Sequence, residues 1–427
     1  MRKSGALVLQ ILLVIGFIGF CVAFMLWIQY RWFHPKPLKR VQVPELHKPV
    51  SLVLDSSGTG HIYAESENDL IIALGYYAAS QRLWEMELMK RAAQGRLSEV
   101  FGTATLEFDF YFRNLLLDTL AERLYQNASP ASREWCRRYA QGVNRYIIAN
   151  RERLPVEFRL VQLQPRRWEP RDCFLIQRFV SWLVDTSWKE WSLIRQLHDT
   201  LPQQLQKELE RIVRPTFLSP LHPGAAPVPK KWWDIDRKFR RWWWGIAYAP
   251  RGFAFVYPDT SRNPPPLSML FLEPLGAPLP FRWLPVHLSG PTIEVAGLTV
   301  PGIPGIIVGG NRRIAWGTIH IPSQSTFFQK MPAVESQTES SVPFSMERVQ
   351  QNIRVGNAVR SRTFFITPRG PTVNLDGGKP DANDTLSVLA WQGWQLSDEI
   401  AALRKLFQAQ NWEEFQEALT TFQCPSS

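Results

Sequence analysis

The chain has 427 residues, 45% of them hydrophobic and 20% charged, with 18 Trp and 49 Lys+Arg against 38 Asp+Glu for a net charge of +11. That length buries a sizeable core in one large domain or two to three smaller ones, and the composition excludes a disordered chain, a collagen and a disulfide-rich miniprotein. A basic excess fits nucleic acid, an anionic membrane surface or plain solubility, so the location of the charge decides its meaning.

Taken in chain order, the first element is an apolar run from Ala6 to Ile28, preceded by Arg2 and Lys3 and broken only by Gln10. It exceeds the roughly 20 residues that a helix needs to span a bilayer and ends in Trp27, Gln29, Tyr30, Arg31 and Trp32, an aromatic and basic border suited to a membrane interface. An uncleaved anchor within residues 1–40 is preferred over a cleaved signal peptide, whose apolar region is shorter. Basic residues flank both sides, so the positive-inside rule leaves the orientation open.

Beyond the anchor the chain reads as mixed α and β. Alternation at Val50, Leu52 and Leu54 before Ser56-Ser57-Gly58 predicts a strand and hairpin over 50–64. From about Glu67 to Val100 the spacing of Leu70, Leu74, Tyr77, Leu83 and Met86 is helical, punctuated by Gly95 and Gly102. Ser129-Pro130 opens a further helix, with a stripe of Trp135, Tyr139, Val143 and Tyr146. Residues 215–232 are Pro-rich and aperiodic, a linker or loop. Short apolar runs at 242–257, 267–271 and 293–308 read as strands. Near the end, Asn411 caps a helix and Glu414 can close a capping box before Phe415 and Leu419.

Cys21, Cys136, Cys173 and Cys424 lack the spacing of a zinc site. A Cys136–Cys173 disulfide stays open in an oxidising compartment, with buried free thiols preferred. There is no G-x-S-x-G elbow, no H-E-x-x-H and no Walker loop, and Gly58-Thr59-Gly60 lacks the rest of a dinucleotide fingerprint. His61 reads as a structural hydrogen-bonder rather than a base.

Several motifs then fall in a recognisable order. Leu54-Asp55-Ser56-Ser57-Gly58-Thr59-Gly60-His61-Ile62, the Gly75–Met86 stretch, Gly95-Arg96-Leu97-Ser98-Glu99-Val100-Phe101-Gly102, Tyr139-Ala140-Gln141-Gly142-Val143-Asn144, Leu154-Pro155-Val156-Glu157-Phe158, Trp168-Glu169-Pro170-Arg171-Asp172, and Val300–Gly305 with Gly309–Gly317 follow one another. Together, over about 45–427, they resemble the penicillin acylase family. Each is weak alone; the ordered set is specific.

The resemblance implies an α+β fold, the αββα sandwich of N-terminal-nucleophile hydrolases, in which a precursor cuts itself and exposes a serine at the start of a second chain. That serine attacks an amide carbonyl while its own α-amine, with a pKa near 8, takes the proton, and backbone amides with an Asn side chain stabilise the oxyanion. Implied substrates are acylated amines such as penicillins or acyl-homoserine lactones. The corresponding division is 1–40 anchor or signal, 45–214 first-chain-like and mostly helical, 215–240 spacer-like and Pro-rich, and 241–427 part of the second chain.

The departures lie where the chemistry is expected. Setting Trp244 on the family's Ser-Asn-x-Trp puts Arg241 at the nucleophile, and the alternative register puts Trp243 there; no Ser, Thr or Cys lies between Pro220 and Pro258. Ser219 and Ser261 are the nearest serines, in the wrong contexts. Where the family carries acidic calcium ligands after Trp316-Gly317, the stretch Thr318–Phe328 has no carboxylate, so a calcium site is not expected; Glu190 is a weak remaining ligand candidate, and a solvated helix Glu is the blander reading. His320 falls where a backbone amide lines the oxyanion hole. Against the family the chain also stops in mid second chain, as a fragment or a degraded copy. The basic, aromatic stretch from Lys230 to Trp244 is read as a former processing junction leading into a central strand, not as a nucleic-acid site. The expected protein is a membrane-anchored hydrolase by descent, impaired in catalysis, with its body on the periplasmic or outer side of a bacterial inner membrane and no cofactor. The alternative is a non-catalytic, membrane-tethered binder of an acylated amine. Oligomeric state is unreadable.

Overall fold

A computed structural model describes residues 12–25, 27, 40–185, 187–212, 225–244, 254–258, 267–271, 283–318, 325–332, 346–373 and 385–424. Within them the chain is a mixed α+β protein. It opens with the expected hairpin, β1 (Ser51–Leu54) against β2 (Gly60–Tyr63), turned at Gly58 with φ +83°. There follow α1 (Glu67–Ala93), α2 (Ser98–Phe101), α3 (Leu106–Asn114), α4 (Leu117–Asn127), α5 (Pro130–Ala149), α6 (Val156–Leu160), α7 (Asp172–Val184), α8 (Ser187–Thr200), α9 (Gln203–Ile212) and α10 (Lys230–Trp244). The strands are β3 (Ala254–Pro258), β4 (Leu267–Phe271), β5 (Leu284–Ser289), β6 (Glu294–Thr299), β7 (Val308–Asn311), β8 (Ala315–Trp316), β9 (Thr326–Pro332), β10 (Glu347–Val355), β11 (Ala358–Thr367), β12 (Gly370–Pro371) and β13 (Thr385–Trp391); α11 (Glu399–Gln408) and α12 (Trp412–Leu419) close the chain.

The largest sheet runs β1-β2-β5-β6-β7-β8, antiparallel throughout except for the parallel pair β2–β5. That pair joins the start of the chain to its second half, which is why a helical block lies between the two strands in sequence. In β5, Leu284, Val286 and Leu288 are buried and alternate with half-buried Pro285, His287 and Ser289, the period of a strand with one face on the core.

The motifs that carry the family resemblance are joints of this fold. Helices α1 and α5 cross where neither tolerates a side chain: a Cβ on Gly75 would lie 2.1 Å from the Tyr139 carbonyl oxygen, and one on Gly142 would lie 1.8 Å from that of Ile72. Asn144 on α5 accepts from the Trp168 N–H and donates to its carbonyl, both at 2.8 Å, pinning the strand-like lead into α7. Asp172 at the start of α7 accepts from the Glu169 N–H at 2.8 Å and from Lys90 of α1. The Tyr139 hydroxyl accepts the Gly302 N–H at 2.9 Å, and Asn311 donates to the Ala409 carbonyl at 2.8 Å, so helices and sheet are tied by the same motif residues. A buried ion pair, Arg178–Glu399 at 3.0 Å, joins α7 to α11.

Ser129 caps α5 by accepting from the Ser132 N–H, and Trp135, Tyr139, Val143 and Tyr146 are all buried, as their spacing predicts. Asn411 caps α12, but Glu414 receives the N–H of Gln410, one residue before the cap, so the capping box is displaced by one position. The helix expected from Glu67 to Val100 stops at Ala93, where Gly95 takes φ +59° against the Asp109 carbonyl. All four cysteines are free thiols; Cys136 and Cys173 are fully buried and in mutual contact, and burial pushes the Cys136 thiol well up. Residues 12–25 are helical with apolar side chains exposed, among them Phe17, Phe20 and Met25. No helix among the described residues is long and apolar enough to cross a membrane, and the rest of the Ala6–Ile28 run lies outside them.

Candidate functional site

The segment expected to hold the nucleophile is a helix, not the start of a strand: α10 continues through Trp244, and the next described strand begins at Ala254. The reason is visible in its periodicity. Trp232, Ile235, Phe239 and Trp243 recur at intervals of three and four and are buried, while Arg237, Lys238 and Arg241 face out. Aromatic content suggested a strand, but helical spacing wins because one continuous apolar stripe can be covered by neighbouring helices. Phe239 meets Phe112 of α3 with ring centroids 4.6 Å apart, Trp243 meets Phe179 of α7 at 5.5 Å, and Trp232 meets Tyr111 of α3 at 4.4 Å.

Arg241 is therefore an exposed side chain near the end of this helix, and Trp243 is a fully buried core residue. Neither carries a nucleophilic oxygen or sulfur, and a guanidinium stays protonated at any ordinary pH. Glu190 sits in the first turn of α8, partly buried, and among the described residues no group of three or more His, Cys, Asp or Glu side chains is placed to hold a metal ion. His320 and the residues 245–253 and 319–324 that flank the expected site lie outside the described residues, as do Ser219 and Ser261.

At the centre of α10 is a buried ionic knot that sequence reading missed. The Asp236 carboxylate receives Arg240 Nε at 2.9–3.0 Å, Lys189 Nζ of α8 at 2.6 Å and the Tyr111 hydroxyl of α3 at 3.1 Å. Tyr111 in turn accepts from the Trp182 indole N–H at 3.1 Å. Burial works to raise the Asp236 pKa, but the Arg240 and Lys189 cations outweigh it and hold the carboxyl below its ordinary value. Burial brings Lys189 down to about 8 and pushes Tyr111 well up. The only sequence trace of this knot is the i, i+4 spacing of Asp236 and Arg240; the partners on α3 and α8 come from far along the chain. A second buried cluster lies beside it: Asp185 accepts from the Ser187 hydroxyl at 2.6 Å, the Ser325 hydroxyl at 2.8 Å and Thr326 Oγ1 at 2.5 Å. All three hydroxyls donate to one carboxylate, which orders them.

The penicillin amidase family model matches residues 49–427. The chain belongs to the penicillin amidase family. An acyl-homoserine lactone acylase, QuiP, of Pseudomonas aeruginosa is 29% identical over 295 residues, covering 66% of this chain and 34% of the relative. The penicillin acylase 2 proenzyme of a Pseudomonas species is 32% identical over 286 residues, covering 62% and 35%. A thermostable penicillin G acylase from Alcaligenes faecalis aligns with a TM-score of 0.32 at 26% identity, covering 43% of this chain and 95% of that one. The chain spans about a third of the length of these two curated relatives. Their names are those of acylases, so penicillin amidase membership places the chain in an amide-hydrolase family.

Proposed function

We propose that this is a penicillin-amidase-family protein that descends from a hydrolase of acylated amines and whose own amide hydrolysis is impaired. The observation that carries this is the absence of any Ser, Thr or Cys between Pro220 and Pro258, together with the burial of Trp243 in a helix where the resemblance sets a new chain terminus. Self-cleavage and amide attack need the same side chain, so one loss removes both steps. The αββα sandwich is the fold that the family implies, and acyl-homoserine lactones or penicillins are the substrate class that the relatives' names suggest. The exposed apolar helix at residues 12–25, continued by the apolar sequence on both sides, supports a membrane tether, and the proposal sets the body on the periplasmic or outer side.

Two measurements on the full chain test this. Intact-mass spectrometry is expected to find one uncut polypeptide, and chromogenic phenylacetyl and fatty-acyl amides are expected to release no product above a blank. Two chains with turnover would overturn the proposal. Carbonate extraction of membranes is expected to leave the chain in the pellet; release into the supernatant removes the tether.

A further inference from the structure

Helix α10 has two faces, and only one is covered. Trp232, Ile235, Phe239 and Trp243 lie in the core. Lys230, Arg237, Lys238, Arg241 and Trp242 are exposed, with Lys231 and Asp234 half-exposed among them. Spacings of three and four set these residues in one stripe, about 16 Å long from Lys230 to Arg241. The stripe carries five cations and one acid.

Part of that charge is answered within the protein. Arg237 reaches Asp234 at 2.7 Å, and Lys231 lies 4.0 Å from Glu107, whose carboxylate also takes Arg362 of β11 at 2.6 Å. Lys230, Lys238 and Arg241 form no ion pair among the described residues. Trp242, 42% exposed, ends the stripe, its ring held against Phe101 and Phe108 at 5.3 and 5.9 Å. Unpaired cations beside a half-exposed indole match a bilayer surface, where anionic headgroups meet the first and the interfacial layer the second. A single-strand nucleic-acid surface would instead space several aromatic rings along a groove, and this face shows one. Because the apolar stripe of α10 is committed to the core, the helix can lie on headgroups without inserting.

We propose that the exposed face of α10 docks on an anionic lipid surface, as a second contact beside the N-terminal tether. The tether reading enters only through local concentration. Arg145 holds the Gln42 carbonyl, so residues 29–41 separate the apolar run from the body and reach at most about 45 Å. At that range a weak electrostatic contact becomes effectively intramolecular.

The test is acetylation footprinting of lysines in the full chain, read by mass spectrometry, on vesicles of phosphatidylcholine alone and of equal parts phosphatidylcholine and phosphatidylglycerol. Lys230 and Lys238 are expected to react slower by about fivefold or more on the anionic vesicles, while the exposed Lys405 of α11 reacts equally on both. Raised salt, which screens the attraction, is expected to restore the rates, and Arg241→Glu to remove most of the protection. Equal rates for Lys230 and Lys238 on the two vesicles overturn the proposal. Protection of Lys405 to the same degree also overturns it, as does protection by a single-stranded oligonucleotide but not by the anionic vesicles. Sedimentation with the uncharged phosphatidylcholine vesicles reads the tether separately, so a chain that fails there and still shows lipid-dependent protection loses the tether and keeps the docking face.

Discussion

Helices α5 and α10 make an instructive pair, since both pack across the helical block and both carry residues that the family resemblance singles out. On α5 those residues are still used: Gly142 lets α1 approach, Asn144 pins the Trp168 backbone and Tyr139 holds Gly302. On α10, where the proposed reading sets a former processing junction, there is a stripe of Trp232, Ile235, Phe239 and Trp243 around an ionic knot. On the proposed reading, packing determinants and reaction determinants separate within one chain. At Gly75 and Gly142 any side chain meets a backbone atom, whereas α10 is held by aromatic packing.

The comparison breaks most decisively at the α1–α5 crossing. Gly142→Val should cost more than about 4 kcal/mol, the exceptional end for a single substitution, because its Cβ would meet the Ile72 carbonyl oxygen at 1.8 Å; urea unfolding followed by circular dichroism reads this, and near-wild-type stability would show that the crossing has slack. Trp243→Ala should cost about 3–5 kcal/mol by leaving a cavity between α7 and α10, in the same assay. A small loss there would mean that α10 is loosely docked and the junction is not a core element. Asp236→Asn leaves the buried Arg240 and the half-buried Lys189 without their carboxylate, at about 3 kcal/mol. Its pH dependence sharpens the point. The folded Asp236 carboxyl lies below its ordinary 3.8, so its stabilisation is present above pH 3.8 and fades as pH falls through the folded value. The wild type should lose that increment on acidification and Asp236→Asn should not. Arg241→Ser sits at the small end: an exposed helix position should change stability by no more than about 0.5 kcal/mol, and the chain should remain uncut. Cleavage at that serine, seen by intact mass, would show that the junction keeps its processing machinery.

Much of the scaffold was readable in advance because its signals are local. Ser129-Pro130 caps α5 and Asn411 caps α12, and the stripe at Trp135, Tyr139, Val143 and Tyr146 marks a buried face without reference to anything distant. The region around α10 was less legible. Its Trp and Arg content reads as a junction leading into a strand, and the helix is instead held by Phe112, Tyr111, Phe179 and Lys189 arriving from other helices. The His61–His287 contact was invisible for the same reason, since parallel pairing brings together residues 226 positions apart. His61 was expected to act as a structural hydrogen-bonder, and its bonds to Asp55 and His287 agree with that.

The ionic knot on α10 bears on how the molecule opens. Three helices converge on Asp236, so the backbone amides from Ile235 to Trp243 cannot exchange with solvent by fraying of one helix alone. They should be released only when the whole domain unfolds, and hydrogen–deuterium exchange should place them among the slowest in the chain. The stretch that the proposed reading sets at a former processing junction would then be among the last parts of the protein to let water in.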